Sequence, residues 1–202
     1  MRIAFIVEGD TERAFQKHLR NFLQTRLSGR MPKLLFRTYR GKLVKPPELK
    51  KMVDHLLRGP NPVADEVIVL TDVYTGKPDF EDAADAKRKM REWVGREPRF
   101  HPHAAQYEFE AWLLPYRDRI KELSKANQNP PSSSPENVNH NKPPSHHLDE
   151  MFRTGRKDKY IKPRDASRIL DNQDLVVAAD ACPELKSLLN TILQLSGGES
   201  LP

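Results

Sequence analysis

The chain has 202 residues, 37% hydrophobic and 31% charged, with a formal net charge of +6. That length supports one good core and a small appendage, and the modest positive balance leans towards polyanionic partners without selecting one. No apolar stretch approaches the roughly 20 residues that span a bilayer, no signal-peptide pattern is visible, and Cys182 is the only cysteine. Together these predict a cytoplasmic protein without membrane segments or an internal disulfide.

Ile3 to Val7, IAFIV, is an apolar, β-rich run that reads as a fully buried strand. It stops on Glu8-Gly9-Asp10-Thr11-Glu12, where Gly9 permits a tight turn and Asp10 or Thr11 is positioned to N-cap a helix. That helix carries Ala14, Phe15, Leu19, Phe22 and Leu23 at helical spacing and ends near Ser28-Gly29. Leu34 to Tyr39 reads as a second strand, and a helix opening at Pro46-Pro47 runs to the breaker Gly59-Pro60-Asn61-Pro62. Glu66 to Asp72, EVIVLTD, is another buried-strand run that ends on an acid. A loop from Val73 to Asp79, a helix from about Phe80 to Trp93 and a strand from Phe100 to Gln106 follow, then a turn and helix start over Tyr107 to Leu114. This alternation of strands with helix-length connections predicts an α/β domain over residues 1–126, a mostly parallel sheet flanked by helices on both faces.

The composition changes after Lys125. Residues 127–147 are rich in Pro, Ser and Asn and read as a long surface loop. Residues 148–202 read as a helical C-terminal extension packing on the same domain, with helices at Leu148–Phe152, Arg164–Leu170, Asp174–Ala179 and Glu184–Leu195.

Three strand ends carry acids: Glu8 with Glu12, Asp72, and Glu108 with Glu110. In a parallel sheet these ends share the carboxyl edge, where open α/β sheets bind ligands. Each acid taken singly reads as solvated, as a helix-end acid, or as paired with Lys42, Lys77 or one of the arginines. As a set of five they would repel one another strongly unless divalent cations lay between them. Hard oxygen ligands of this kind suit Mg²⁺ or Mn²⁺, and two such ions can clamp the attacking and leaving oxygens of a phosphodiester.

The Glu-Gly turn after the first strand, followed by an acid at the end of the third, resembles the TOPRIM domain of topoisomerases, primases and overcoming-lysogenisation-defect nucleases. In that fold a glutamate after the first strand serves acid–base chemistry or metal binding, and an Asp-x-Asp pair holds metal. Glu8 matches the first position, Glu12 the second acid of the nuclease branch, and Asp72 the first aspartate. The second aspartate is replaced by Tyr74, with Asp79 the nearest substitute in sequence. A narrower resemblance covers nearly the whole chain: IVEGDTERAF, TDVYTGKPDF, QYEFEAWLL, the SPENVN to PPSHHL stretch, KYIK and ACPELKSLL are similar to the TOPRIM-like family catalogued as domain of unknown function 4276. Asp-x-Tyr is that family's own form, whereas Ser145-His146-His147 departs from its usual basic run. The resemblance implies a nuclease of prokaryotic defence or mobile-element loci, partnered with an ABC- or AAA-type ATPase.

Among other candidates, Lys157, Lys159 and Lys162 form a basic cluster that reads as solvated surface or as a phosphate-neutralising patch. The resemblance raises Lys162 above its neighbours, and Lys77 is the second candidate for transition-state charge. The histidines lack zinc-type spacing, no GxSxG elbow is present, and no Walker A motif exists. Trp93 and Trp112 read as core.

The expectation is a Mg²⁺- or Mn²⁺-dependent nuclease acting on nucleic acid. Glu8, Glu12, Asp72, Glu108 and Glu110 hold the metal, Glu8 doubles as general base, and Lys162 or Lys77 assists. The alternatives are a non-catalytic subunit docking on an ATPase and a metal-dependent phosphohydrolase of small phosphate esters.

Overall fold

In a computed structural model, residues 1–39, 46–73, 80–131, 134–138 and 142–202 are described. Tyr74, Lys77 and Asp79, like Lys42 and His140, lie outside them. Four strands, β1 (Arg2–Val7), β2 (Lys33–Thr38), β3 (Glu66–Asp72) and β4 (Phe100–Ala105), form one sheet in the order β2-β1-β3-β4. Every pairing is parallel, as in Val7 opposite Thr38 on one side and Leu70 on the other. The chain leaves β1 towards one side and returns for β3 on the other, so the direction of winding switches between β1 and β3.

Helices α1 (Asp10–Arg26), α2 (Pro46–Arg58) and α3 (Ala83–Val94) connect the strands. Because strand side chains alternate between faces, β1 feeds two cores. Ile3, Phe5 and Val7 join Ile68 and Leu70 under α1, while Ala4 and Ile6 join Val67 and Val69 under α2 and α3. Phe5 and Ile3 are essentially sealed from water, each burial stabilising the fold by about 1.5–3 kcal/mol. The remaining helices, α4 (Arg117–Ser124), α5 (Pro144–Arg156), α6 (Lys162–Leu170), α7 (Leu175–Ala181) and α8 (Pro183–Leu195), all contribute to the α1 face. Among the described residues no helix is long and apolar enough to cross a membrane.

Two local expectations need correction. Neither Asp10 nor Thr11 caps α1; the N-cap is Gly9, and Glu12 reaches back so that its Oε2 accepts the Gly9 N–H at 3.1 Å. The stretch over 127–147 is also less loop-like than its composition. Pro135–Asn137 forms a 3-10 turn with Glu136 and Val138 buried, and α5 begins at Pro144, inside the predicted loop. The Trp112 indole N–H donates to Glu136 Oε1 at 3.0 Å, and the Glu184 N–H at the start of α8 donates to the same carboxylate at 3.2 Å. One buried acid anchors a stretch that its Pro- and Ser-rich composition assigned to a surface loop.

Candidate active site at the acidic sheet edge

The winding switch between β1 and β3 opens a crevice at the carboxyl edge of the sheet. β1 delivers Glu8 there, the first turn of α1 delivers Glu12, and the last residue of β3 delivers Asp72. Beyond β4, Tyr107 adopts a left-handed conformation (φ 68°), costly for a bulky residue, and turns the chain into a 3-10 turn, Phe109–Leu113. Glu108 precedes this turn and Glu110 lies within it, so these two acids sit one turn past a strand end. Phe109, between them, packs on Phe15 and Trp112 with ring centroids 5.5 and 5.3 Å away. That packing fixes the turn over the crevice.

Glu8, Gly9, Thr11, Glu12, Asp72, Phe109, Glu110 and Lys162 line a cavity of about 260 Å³. Glu8 accepts a hydrogen bond from the Thr71 hydroxyl. Asp72 Oδ1 accepts the Phe109 N–H at 2.8 Å, and Glu108 Oε2 accepts the Ser145 N–H at the start of α5 at 3.0 Å. Lys162, the first residue of α6, places Nζ 3.3 Å from Glu110 Oε2 and 3.8 Å from Glu108 Oε1. Glu110 is 1% exposed, and its Oε1 is buried without a partner among the described residues.

The electrostatics follow from this crowding. Burial, and then repulsion from Glu12, Glu110 and Glu8, holds the Asp72 carboxyl well above the ordinary aspartate range. Burial raises Glu110 to about 7 although Lys162 opposes it. Burial also raises Glu12, against its backbone hydrogen bonds. Lys162 is pulled down by its partial burial, but the carboxylates of Glu110, Glu108 and Asp72 outweigh this and leave it above the usual lysine value. The pocket sets the carboxyl groups of Glu8, Glu12, Asp72 and Glu110 against one cation, Lys162, and carboxylate oxygen is the donor type that hard divalent ions take. The unpartnered Glu110 oxygen fits such an ion. Among the described residues, no three His, Cys, Asp or Glu side chains already form a ligand set; the Gly9, Phe109 and Ser145 N–H groups, the Thr71 hydroxyl and Lys162 engage the carboxylates.

The structure thus brings together Glu8, Glu12, Asp72, Glu110 and Lys162 around one cavity, with Glu108 beside Lys162. Lys77 lies outside the described residues, and Lys157 and Lys159 are exposed. Trp112 is core, and Trp93 is partly buried against Phe80. Thr71 and the α5 start escaped sequence reasoning. Thr71 meets Glu8 because Val7 pairs with Leu70, a register that no local pattern announces, and the Ser145 contact spans 37 residues and left no local signal.

Residues 7–193 match the family described as domain of unknown function (DUF4276). Among solved structures, the C-terminal region of the Burkholderia pseudomallei OLD protein is 15% identical with a TM-score of 0.53, covering 96% of this chain and 98% of that one. The C-terminal region of the Xanthomonas campestris pv. campestris OLD protein is 14% identical with a TM-score of 0.43, over 96% and 95%. No curated protein matches the chain in sequence. The likeness to the B. pseudomallei region shows a shared fold, the TOPRIM-like α/β arrangement.

Proposed function

The chain belongs to the family described as domain of unknown function 4276, and from that premise we propose that it is a divalent-metal-dependent nuclease cleaving phosphodiester bonds in nucleic acid. The observation that carries the proposal is the convergence of Glu8, Glu12, Asp72 and Glu110 on one cavity at the winding switch, with a buried Glu110 oxygen left unpartnered. A small-molecule esterase would be served by a deeper, more enclosed pocket; this cavity is small and lies at the open sheet edge.

Asp72, Glu110, Glu8 and Glu12 would hold Mg²⁺ or Mn²⁺, with Glu108 beside them. When bound, such an ion polarises the phosphoryl oxygens and lowers the pKa of a coordinated water. To hold it, Glu110 would exchange its present contact with Lys162 for the ion. Glu8, oriented by the Thr71 hydroxyl, accepts the proton of the attacking water. Lys162 is 46% exposed at its side chain, so its ammonium can swing from the carboxylates to the scissile phosphate and offset the charge that builds in the transition state. Phe109 keeps Asp72 in place through its N–H. The family resemblance supports an ABC- or AAA-type ATPase as partner and a role in prokaryotic defence or mobile elements.

The test is cleavage of supercoiled plasmid, single-stranded DNA and RNA with Mg²⁺ or Mn²⁺, comparing wild type with Glu8→Ala and Asp72→Ala at matched folding by circular dichroism. Metal-dependent cleavage lost in both variants supports the reading. Cleavage that survives both substitutions overturns the assignment of the site.

A further inference from the structure

From Arg13 to Pro47 the chain contains ten Lys and Arg residues and not one Asp or Glu. Since the whole chain carries only +6, everything outside this stretch is net negative. Seven of the ten, Arg13, Lys17, Arg20, Arg26, Arg30, Lys33 and Arg37, lie on α1, on β2 and between them, whereas Arg40, Lys42 and Lys45 lie outside the described residues. The fold places these together, for β2 is an edge strand of the sheet and α1 packs beside it, with the Gln16 amide donating to the Leu34 carbonyl at 3.1 Å.

The arrangement along α1 is regular. Arg13, Lys17, Arg20 and Gln24 are exposed and follow one another at three- and four-residue intervals, hence on one face of the helix, with exposed Asn21 four residues after Lys17 and three before Gln24. With Gln16 they line a groove of about 530 Å³. At 1.5 Å per residue, Arg13 and Arg20 lie about 10 Å apart along the axis, close to the span of three nucleotides of one duplex strand. Lys17 is paired with Asp171 at 2.9 Å and Arg26 lies 3.8 Å from Asp174. Arg13, Arg20, Arg30, Lys33 and Arg37 make no ion pair among the described residues. This differs from α3 on the opposite face, where Lys87, Arg88 and Lys89 all meet carboxylates. Arg13 directly follows Glu12, so the basic groove starts where the acidic cavity ends.

We infer that the exposed face of α1, continuing towards the β2 edge, is the track on which a nucleic-acid phosphate backbone lies, leading one phosphate into the acidic cavity. Arginines supply forked donors for phosphate oxygens, and Gln16, Asn21 and Gln24 supply amide donors between them. None of these contacts reads a base in a fixed pattern, so the track binds by charge and takes its strand without strong sequence preference. The inference rests on the nuclease reading for the identity of the polyanion, while binding to the track needs no cleavage.

The experiment measures binding by the full chain, in EDTA so that no metal-dependent cleavage occurs, using fluorescence anisotropy of labelled duplex DNA, single-stranded DNA and RNA of one sequence across a KCl series. The variants are Arg13→Gln/Arg20→Gln and, as a control of equal charge change on the other face, Arg91→Gln/Arg96→Gln. All four residues are exposed, and circular dichroism checks the fold. Loss of two phosphate contacts flattens the slope of log K against log salt by about 1.8 on duplex or about 1.4 on a single strand, and the arm with the steepest wild-type slope identifies the form of the strand. The control retains the wild-type slope. An unchanged slope in Arg13→Gln/Arg20→Gln, an equal fall in both double variants, or no nucleic-acid binding by wild type overturns the track. Flattening in a protein that fails to cleave leaves the track standing and removes only the nuclease reading.

Discussion

Replacing Glu110 by Gln should change stability in a pH-dependent way whose sign is opposite to that of an ordinary salt-bridged acid. Glu110 ionises near 4.5 in the unfolded chain and at about 7 in the folded one, chiefly because it is buried. The folded state then binds the proton more tightly than the unfolded state, so stability falls as the pH rises between those values. At 1.36 kcal/mol for each pH interval of one, the folded protein carries a penalty of about 3 kcal/mol above pH 7 that is absent below pH 4.5. Glutamine keeps the shape and an acceptor for Lys162 but cannot ionise. It also relieves repulsion on Asp72, which acts in the same direction. Any cost of burying the amide is the same at every pH. The variant should therefore gain on wild type by about 2–3 kcal/mol between pH 5 and pH 8. Urea unfolding in EDTA reads this directly, since a slope of roughly 1–3 kcal/mol/M for small proteins turns it into a midpoint difference on the order of 1 M. A difference between variant and wild type that is the same at pH 5 and pH 8 would refute the reasoning. It would mean that the carboxylate is not held in a desolvated, negatively crowded pocket.

Two further predictions concern the supports of the site. Glu136→Ala leaves the Trp112 indole N–H and the Glu184 N–H without their acceptor, costing about 1–3 kcal/mol for each buried donor. Glu136→Gln, which keeps an acceptor, should recover much of the thermal midpoint. Gly155→Ala would set a Cβ 2.2 Å from the Ser124 carbonyl oxygen, a backbone atom that cannot step aside; thermal unfolding should show a loss of about 1–3 kcal/mol from overpacking. Gly29→Ala, with nothing within 4 Å, should leave the midpoint in place.

The parts of the fold that were legible in sequence are those governed by local pattern. IAFIV and EVIVLTD are apolar without alternation because both faces of a parallel strand are covered, and β1 and β3 are indeed the two central strands. Glu8 and Asp72 were legible for the same reason, each being the first acid after a run that has to be buried. Glu110 and its relation to Lys162 were less so. The two are 52 residues apart, and the left-handed Tyr107 redirects the chain after β4 in a way that no spacing rule announces. Composition misled over 127–147, where Glu136 holds the chain to Trp112 and α8 through contacts spanning 24 and 48 residues. The cap of α1 was misread because Gly9 offers no side chain, and Glu12 supplies the acceptor from within the helix.

The most direct test of the central claim is a calorimetric titration of wild type, Asp72→Asn and Glu199→Gln with Mn²⁺ at pH 8. Glu199 is an exposed acid in the C-terminal tail and serves as the control. If the sheet edge is a divalent-cation site, wild type and Glu199→Gln bind Mn²⁺ alike, and Asp72→Asn binds it at least tenfold more weakly, about 1.4 kcal/mol or more. Equal binding by Asp72→Asn, or no binding by any of the three, would contradict the account.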